Sequence, residues 1–73
     1  MEKKIEEILF IVEEAPEGGY TAKAVGVSIF TEADSLEDLR RQVVDAVHCH
    51  YSAQASAPRL VRLHHVKDEI IAA

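Results

Sequence analysis

Ile8-Leu9-Phe10-Ile11-Val12 (residues 8–12), with Glu6 and Glu7 before it and Glu13 and Glu14 after it, is the stretch that decides the fold. Ile5 to Glu14 reads as a strand. Successive side chains in a strand point to opposite faces, so Ile8, Phe10 and Val12 share one face and Leu9 and Ile11 the other. A strand that is apolar on both sides belongs in the centre of a sheet, where each face meets apolar neighbours.

Downstream, Ala15-Pro16-Glu17-Gly18-Gly19 has the composition of a hairpin loop. Proline cannot donate to a strand ladder, and glycine tolerates positive φ. Tyr20 to Ala24 and Val27 to Thr31 follow as two short strands broken at Gly26, which suits a tight turn or a bulge. The three strands form an antiparallel meander. Asp34 or Ser35 then supplies a helix cap, with Glu37 and Asp38 in the first turn to complement the free N–H groups; Ser35 with Asp38 approximates a capping box. Leu36, Leu39, Val43, Ala46, Val47 and His50 fall on one stripe at roughly 100° per residue, which predicts an amphipathic helix ending near Tyr51. Residues 52–58, small and polar and closed by Pro58, read as a loop. Arg59 to Val66 reads as a last strand, with Val61, Leu63 and His65 on one face, and Lys67 to Ala73 as a short tail.

The expected order is therefore β-β-β-α-β. A strand that follows a crossover helix most simply returns parallel beside the central first strand. The fold class is α+β, a small mixed sheet with one helix packed on one face, and residues 1–73 form a single domain without internal repeats. A chain of 73 residues buries only about 60% of the surface its unfolded form exposes, so its core is thin and self-association would help it. With 48% hydrophobic and 29% charged residues it lies far from the compositions that stay disordered.

Charge narrows the class of partner. The net charge is −5, and residues 1–38 hold ten acidic against three basic residues, whereas residues 39–73 hold three against five. An acidic front half repels phosphate backbones and steers basic partners, so direct nucleic-acid binding is not expected. The single cysteine, Cys49, allows no internal disulfide and fits a reducing cytoplasm. No stretch approaches the ~20 apolar residues of a membrane span, and the N-terminus lacks the pattern of a signal peptide.

Two segments resemble a known family. The turn Glu17-Gly18-Gly19-Tyr20 and the segment from Ile29 through Phe30-Thr31-Glu32-Ala33-Asp34-Ser35 to Leu39 are similar to the HicB-like antitoxins, over roughly residues 5–51. That resemblance implies a small, catalytically stripped ribonuclease-H-like fold. It also implies a protein that masks HicA, a small basic mRNA-cleaving toxin whose own fold is like a double-stranded-RNA-binding domain. Two departures stand out. Family members often carry a Pro-Gly-Cys-like turn between the second and third strands, where this chain has Lys23-Ala24-Val25-Gly26-Val27-Ser28. Full-length members usually continue into a DNA-binding domain, whereas this chain stops soon after its fourth strand, so operator binding is not carried over.

Glu13, Glu14, Glu17, Glu32 and Asp34, with Tyr20 in the same turn, are the candidate partner-binding residues, because clustered carboxylates can occupy a basic surface that otherwise holds RNA phosphates. The plain alternative is that they are solvated charges keeping a small sheet soluble. Leu9 and Ile11, on the face opposite the helix with Val25 or Val27 as neighbours, are the candidate self-association residues, which a dimer stacking two sheets would cover.

Catalysis, cofactors and metals find little support. His48 and His50 diverge by about 160° on a helix, and His64 and His65 face opposite sides of a strand, so at most one from each pair can converge. A His50–His65 contact under the helix is the remaining combination, more simply a packed histidine pair than a zinc or copper site. The middle of the first strand carries no carboxylate, so the two-metal cage of a ribonuclease-H-like nuclease is not expected. Cys49 should point away from the apolar stripe, and no readable triad surrounds it. Gly18-Gly19 opens a strand instead of a helix, unlike a phosphate-binding loop. A double-stranded-RNA-binding reading shares the meander but wants a basic helix end. Two expectations remain: an antitoxin-like module that binds HicA and catalyses nothing, or an orphan homo-oligomer, a dimer in its simplest form, without the toxin.

Overall fold

A computed structural model describes residues 7–52 and 57–73. Its elements are β1 (Glu7–Glu14), β2 (Tyr20–Ala24), β3 (Phe30–Ala33), α1 (Leu36–His50) and β4 (Leu60–Val66). The start of the first expected strand, Ile5 and Glu6, and the middle of the expected 52–58 loop lie outside the described residues.

The sheet order is β3-β2-β1-β4. β1 pairs antiparallel with β2 and parallel with β4, so the apolar run is central and the strand after the helix returns beside it. This is the expected α+β arrangement, a four-stranded mixed sheet with one helix packed on it. Ile8, Phe10 and Val12 point under the helix and are buried, as are Ala22 and Ala24 on β2. Those alanines take up little room, and the helix sits closest to β3 and β2. It buries Leu39, Val43 and Val47, four residues apart on one stripe. Ile29 completes the core.

Ser35 caps α1 in an extended conformation, its side-chain oxygen accepting from the Asp38 backbone N–H. Only half of the expected capping box forms, because the Asp38 carboxylate pairs forward with Arg41. At the other end the Tyr51 N–H makes the last helical bond, to the Val47 carbonyl, and Tyr51 itself leaves helical geometry (φ −108°, ψ 21°), so the helix ends where the stripe predicts.

Three details differ from expectation. The third strand runs from Phe30 to Ala33 instead of Val27 to Thr31. Gly26 adopts φ +84°, and the Ile29 N–H donates to the Val27 carbonyl at 2.9 Å. That tight turn delays the ladder, although Ile29 still enters the core. His50 does not lie under the helix. It is exposed, its ring edge-on to Tyr51 at 4.8 Å, so the His50–His65 contact does not form. β1, finally, is covered on one face only among the described residues, and Leu9 and Ile11 are half-buried.

The β1–β2 hairpin depends on Gly19. Its φ is +85°, and a Cβ there would lie 2.9 Å from the Ala33 carbonyl oxygen. Gly18 also has positive φ, +107°, but faces open space. On the opposite face Arg62 grips Glu7 across β4 and β1, Nε at 2.5 Å from Oε2 and Nη2 at 3.2 Å from Oε1. The guanidinium hydrogen bond holds the Glu7 carboxyl below its ordinary range.

Three outcomes follow from this packing. Leu39→Ala and Phe10→Ala should each cost about 2–5 kcal/mol. That approaches the whole stability of a domain this size, about 4–11 kcal/mol, so urea titration should find both barely folded. Gly19→Ala should destabilise by about 1 kcal/mol or more, and by more than Gly18→Ala, because strain is joined by a backbone clash only at Gly19. Glu7, depressed in the folded state, contributes stability above its unfolded pKa that is lost as pH falls through the folded one. Glu7→Gln should therefore flatten the acid limb of the stability profile and leave its alkaline limb unchanged.

Candidate functional site

The candidate residues collect at one end of the domain, where β1 ends, the hairpin turns and β3 hands over to α1. The hairpin is closed by the Ala15 N–H to the Gly19 carbonyl at 2.9 Å and the Gly18 N–H to the Ala15 carbonyl at 3.0 Å. It holds Glu17 at the tip and sets Glu14 opposite Tyr20 and Glu13 opposite Thr21. Thr21 in turn faces Glu32 on β3. Glu13 and Glu32 thus lie on the open sheet face, two strands and about 10 Å apart. Glu14 and Tyr20 lie on the helix side by the same alternation, and Asp34 follows β3 just before the Ser35 cap.

The carboxylates therefore wrap around the end of the sheet instead of forming one flat patch. Two shallow clefts organise them. One, of about 450 Å³, is lined by Glu17, Tyr20, Glu32 and Asp34, with Asp38 and Gln42 from the first turns of α1. The other, of about 510 Å³, is lined by Glu13 and Glu14 with Pro16 and Asp68. Between them Tyr20 borders a smaller apolar recess of about 190 Å³, with Val12, Leu36, His65 and Lys67. Of the six sequence-chosen residues, four share the first cleft, two share the second, and Tyr20 reaches both neighbourhoods.

Asp38, Gln42 and Asp68 were not singled out as site residues from the sequence. Asp38 carries a signal, since a carboxylate in a first helical turn sits beside whatever precedes the cap. Asp68 lies in a tail with no periodicity and carries none.

A concentration of carboxylates at one end of a domain gives that end a negative field, which attracts cations and basic side chains; of those lining the first cleft, Asp38 is paired with Arg41. Guanidinium and ammonium groups fit clefts of this kind, and the tyrosine ring offers a face for a cation. Among the described residues no three histidine, cysteine, aspartate or glutamate side chains come together as a metal site. Cys49 is exposed, as its place off the stripe predicts. Among the described residues no helix is long and apolar enough to cross a membrane.

Leu9 and Ile11 lie on the opposite, helix-free face. Across the sheet Ile11 stands in a row with Phe30, Lys23 and His64, and Leu9 pairs with Arg62. Val25 donates its N–H to the Leu9 carbonyl at 2.9 Å. Phe30, Val25 and Leu60 are largely exposed here, so the candidate self-association residues sit within a wider apolar surface. Phe30 escaped the sequence reading because the misplaced third strand gave it the wrong partners.

Comparison with known proteins finds two close relatives. The chain is 50% identical over 58 residues to a UPF0150 protein of Archaeoglobus fulgidus, spanning 80% of this chain and 85% of the relative. It is 44% identical over 66 residues to a UPF0150 protein of Thermotoga maritima, spanning 90% and 91%. No family model matches it. No solved structure matches it. At that identity and coverage, the chain belongs to the UPF0150 family.

Proposed function

We propose that this protein is a HicB-like antitoxin-type module that catalyses nothing and, in the cytoplasm, binds and masks a small basic mRNA-cleaving toxin of the HicA kind. The observation that carries this reading is the gathering of Glu13, Glu14, Glu17, Glu32 and Asp34 around Tyr20 at one end of the sheet. Carboxylates arrayed along clefts can take the lysines and arginines that would otherwise hold RNA phosphates, and they reject RNA itself by like charge. The β-β-β-α-β order and the Glu17-Gly18-Gly19-Tyr20 turn support the same family resemblance.

A second reading has its own observation. Phe30, Val25 and Leu60 extend the apolar surface around Leu9 and Ile11, an area that water meets in a lone copy. An orphan homo-oligomer that has lost its toxin would use that face alone.

The two readings centre their contacts on different residues, the first on the acidic end and the second on Leu9 and Ile11, with Glu13 and Glu32 at the border between them. The triple variant Glu13→Lys, Glu14→Lys, Glu17→Lys should lose a basic partner that co-purifies with the unaltered chain, with affinity falling at least tenfold at low salt and the difference shrinking as salt screens it. Unchanged affinity and salt dependence, by isothermal titration, would rule out masking by the acidic end.

A further inference from the structure

We infer that β4 is a pairing edge for a second copy of this chain: two β4 strands join antiparallel about a two-fold axis through Leu63 and extend the sheet to eight strands. This seam lies on the rim of the sheet, whereas the stacked dimer of the second reading uses the open face. It therefore rests on neither reading of the function.

β4 is an edge without the devices that ordinarily guard one. It ends the sheet order, and among the described residues its backbone N–H and carbonyl groups have no partner except β1. Proteins shield such groups by keeping edge strands short, by a proline or bulge, or by a charged side chain. The opposite edge, β3, is four residues long and carries Glu32. β4 is seven residues long, contains no proline, and pairs with β1 without a break from Leu60 to Val66, so it holds no bulge. Its one arginine, Arg62, is drawn back over β1 by Glu7.

What the edge presents is complementary to itself. In an antiparallel pair centred on Leu63, Leu60 meets Val66 of the other copy, Val61 meets His65, Arg62 meets His64, and Leu63 meets its twin. Leu60 and Val66 are 55% and 36% exposed, so the two ends of the seam each bury a leucine–valine pair that water meets in a lone chain. On the helix side Val61 and Leu63 are only half-buried, because α1 sits over β2 and β3. Leu63 stands in register with the buried Phe10, so the pairing continues the row from Phe10 through Leu63 into the same row of the second copy. Arg62 meets His64 with its charge already answered by Glu7. Moving the axis to Arg62 or His64 would set a basic side chain against itself and leave the ends of β4 unpaired.

Size sets the strength. Seven residues at about 3.3 Å each make a seam about 23 Å long, which at a sheet thickness of about 10 Å covers roughly 250 Å² on each copy. That lies below the ~1,200 Å² total of standard interfaces. The pairing belongs to the weak class in which main-chain bonds supply the affinity, and its dissociation constant is expected in the micromolar range.

The test uses the full chain with Cys49→Ser, so that an introduced cysteine is the only thiol. Paired residues of antiparallel strands have Cα atoms about 4.5–5.5 Å apart, within disulfide reach. Under mild oxidation Leu63→Cys should link two copies by itself. Val61→Cys and His65→Cys should link only when the two variants are mixed, since each alone stands about 13 Å from its twin along the seam; this pair keeps the test open where Leu63→Cys weakens the fold. Light scattering on the unaltered chain, diluted from millimolar to micromolar, should show a dimer that dissociates. All three positions lie on the helix side, out of reach across two open faces stacked about 10 Å apart. A dimer that links at none of them would therefore overturn the edge pairing and leave the stacked face standing, and a monomer throughout the dilution series would overturn both.

Discussion

One helix covers about half of one face of a four-stranded sheet, and the rest of this molecule follows from that mismatch. A helix with its side chains is about 10 Å across, whereas the sheet is about 19 Å wide. α1 settles over β2 and β3, where Ala22 and Ala24 let it approach and where Leu39, Val43 and Val47 meet Phe10 and Val12. That contact, with Ile8 and Ile29, is the core among the described residues. Its consequences are the half-covered Val61 and Leu63 on β4, the exposed His65 and a second face with no cover among the described residues. A chain this small concentrates its stability in a few side chains and presents much of its apolar surface outward.

The same geometry separates the two surfaces open to partners. The helix start, the hairpin and the end of β3 meet at one end, and the acidic residues of the front half are carried there by chain order: Glu13 and Glu14 close β1, Glu17 tips the hairpin, Glu32 and Asp34 lead into the cap. The apolar face is shared by all four strands and runs up to that end, where Glu13 and Glu32 lie on it. Glu13 and Glu32 belong to both surfaces, so a copy stacked on the open face and a basic protein at the acidic end would meet at these two residues. The proposed masking function uses the first surface.

Much of this was legible before any coordinates. The two-sided apolar run placed β1 in the centre, the Pro-Gly-Gly loop placed the hairpin, and the 100° stripe gave α1 almost to the residue, because each rests on local periodicity or on backbone chemistry that only certain residues allow. The third strand did not come out correctly. Val27-Ser28-Ile29 has strand-like composition, yet the positive φ of Gly26 and the turn bond from Ile29 to Val27 keep Val27 and Ser28 out of the ladder, and pairing with β2 starts only where the Ile29 carbonyl accepts from the Ala24 N–H. His50 fits the stripe by angle but reaches past the cover the sheet gives, which periodicity alone does not report. The acidic residues of the site were found by counting charge; their division between two sides of the sheet, and the recruitment of Asp38 and Asp68, depend on register and on a tail without pattern.

Masking is the claim on which the functional reading stands, and it is tested by what the partner does once freed. The tagged chain would be recovered from its source cell at low salt, its partners identified by mass spectrometry, and RNA cleavage measured before and after elution at high salt. A small basic protein that cleaves mRNA only after release is the predicted result; recovery of nothing but further copies of this chain, or of a partner with no RNA-cleaving activity when freed, would contradict it.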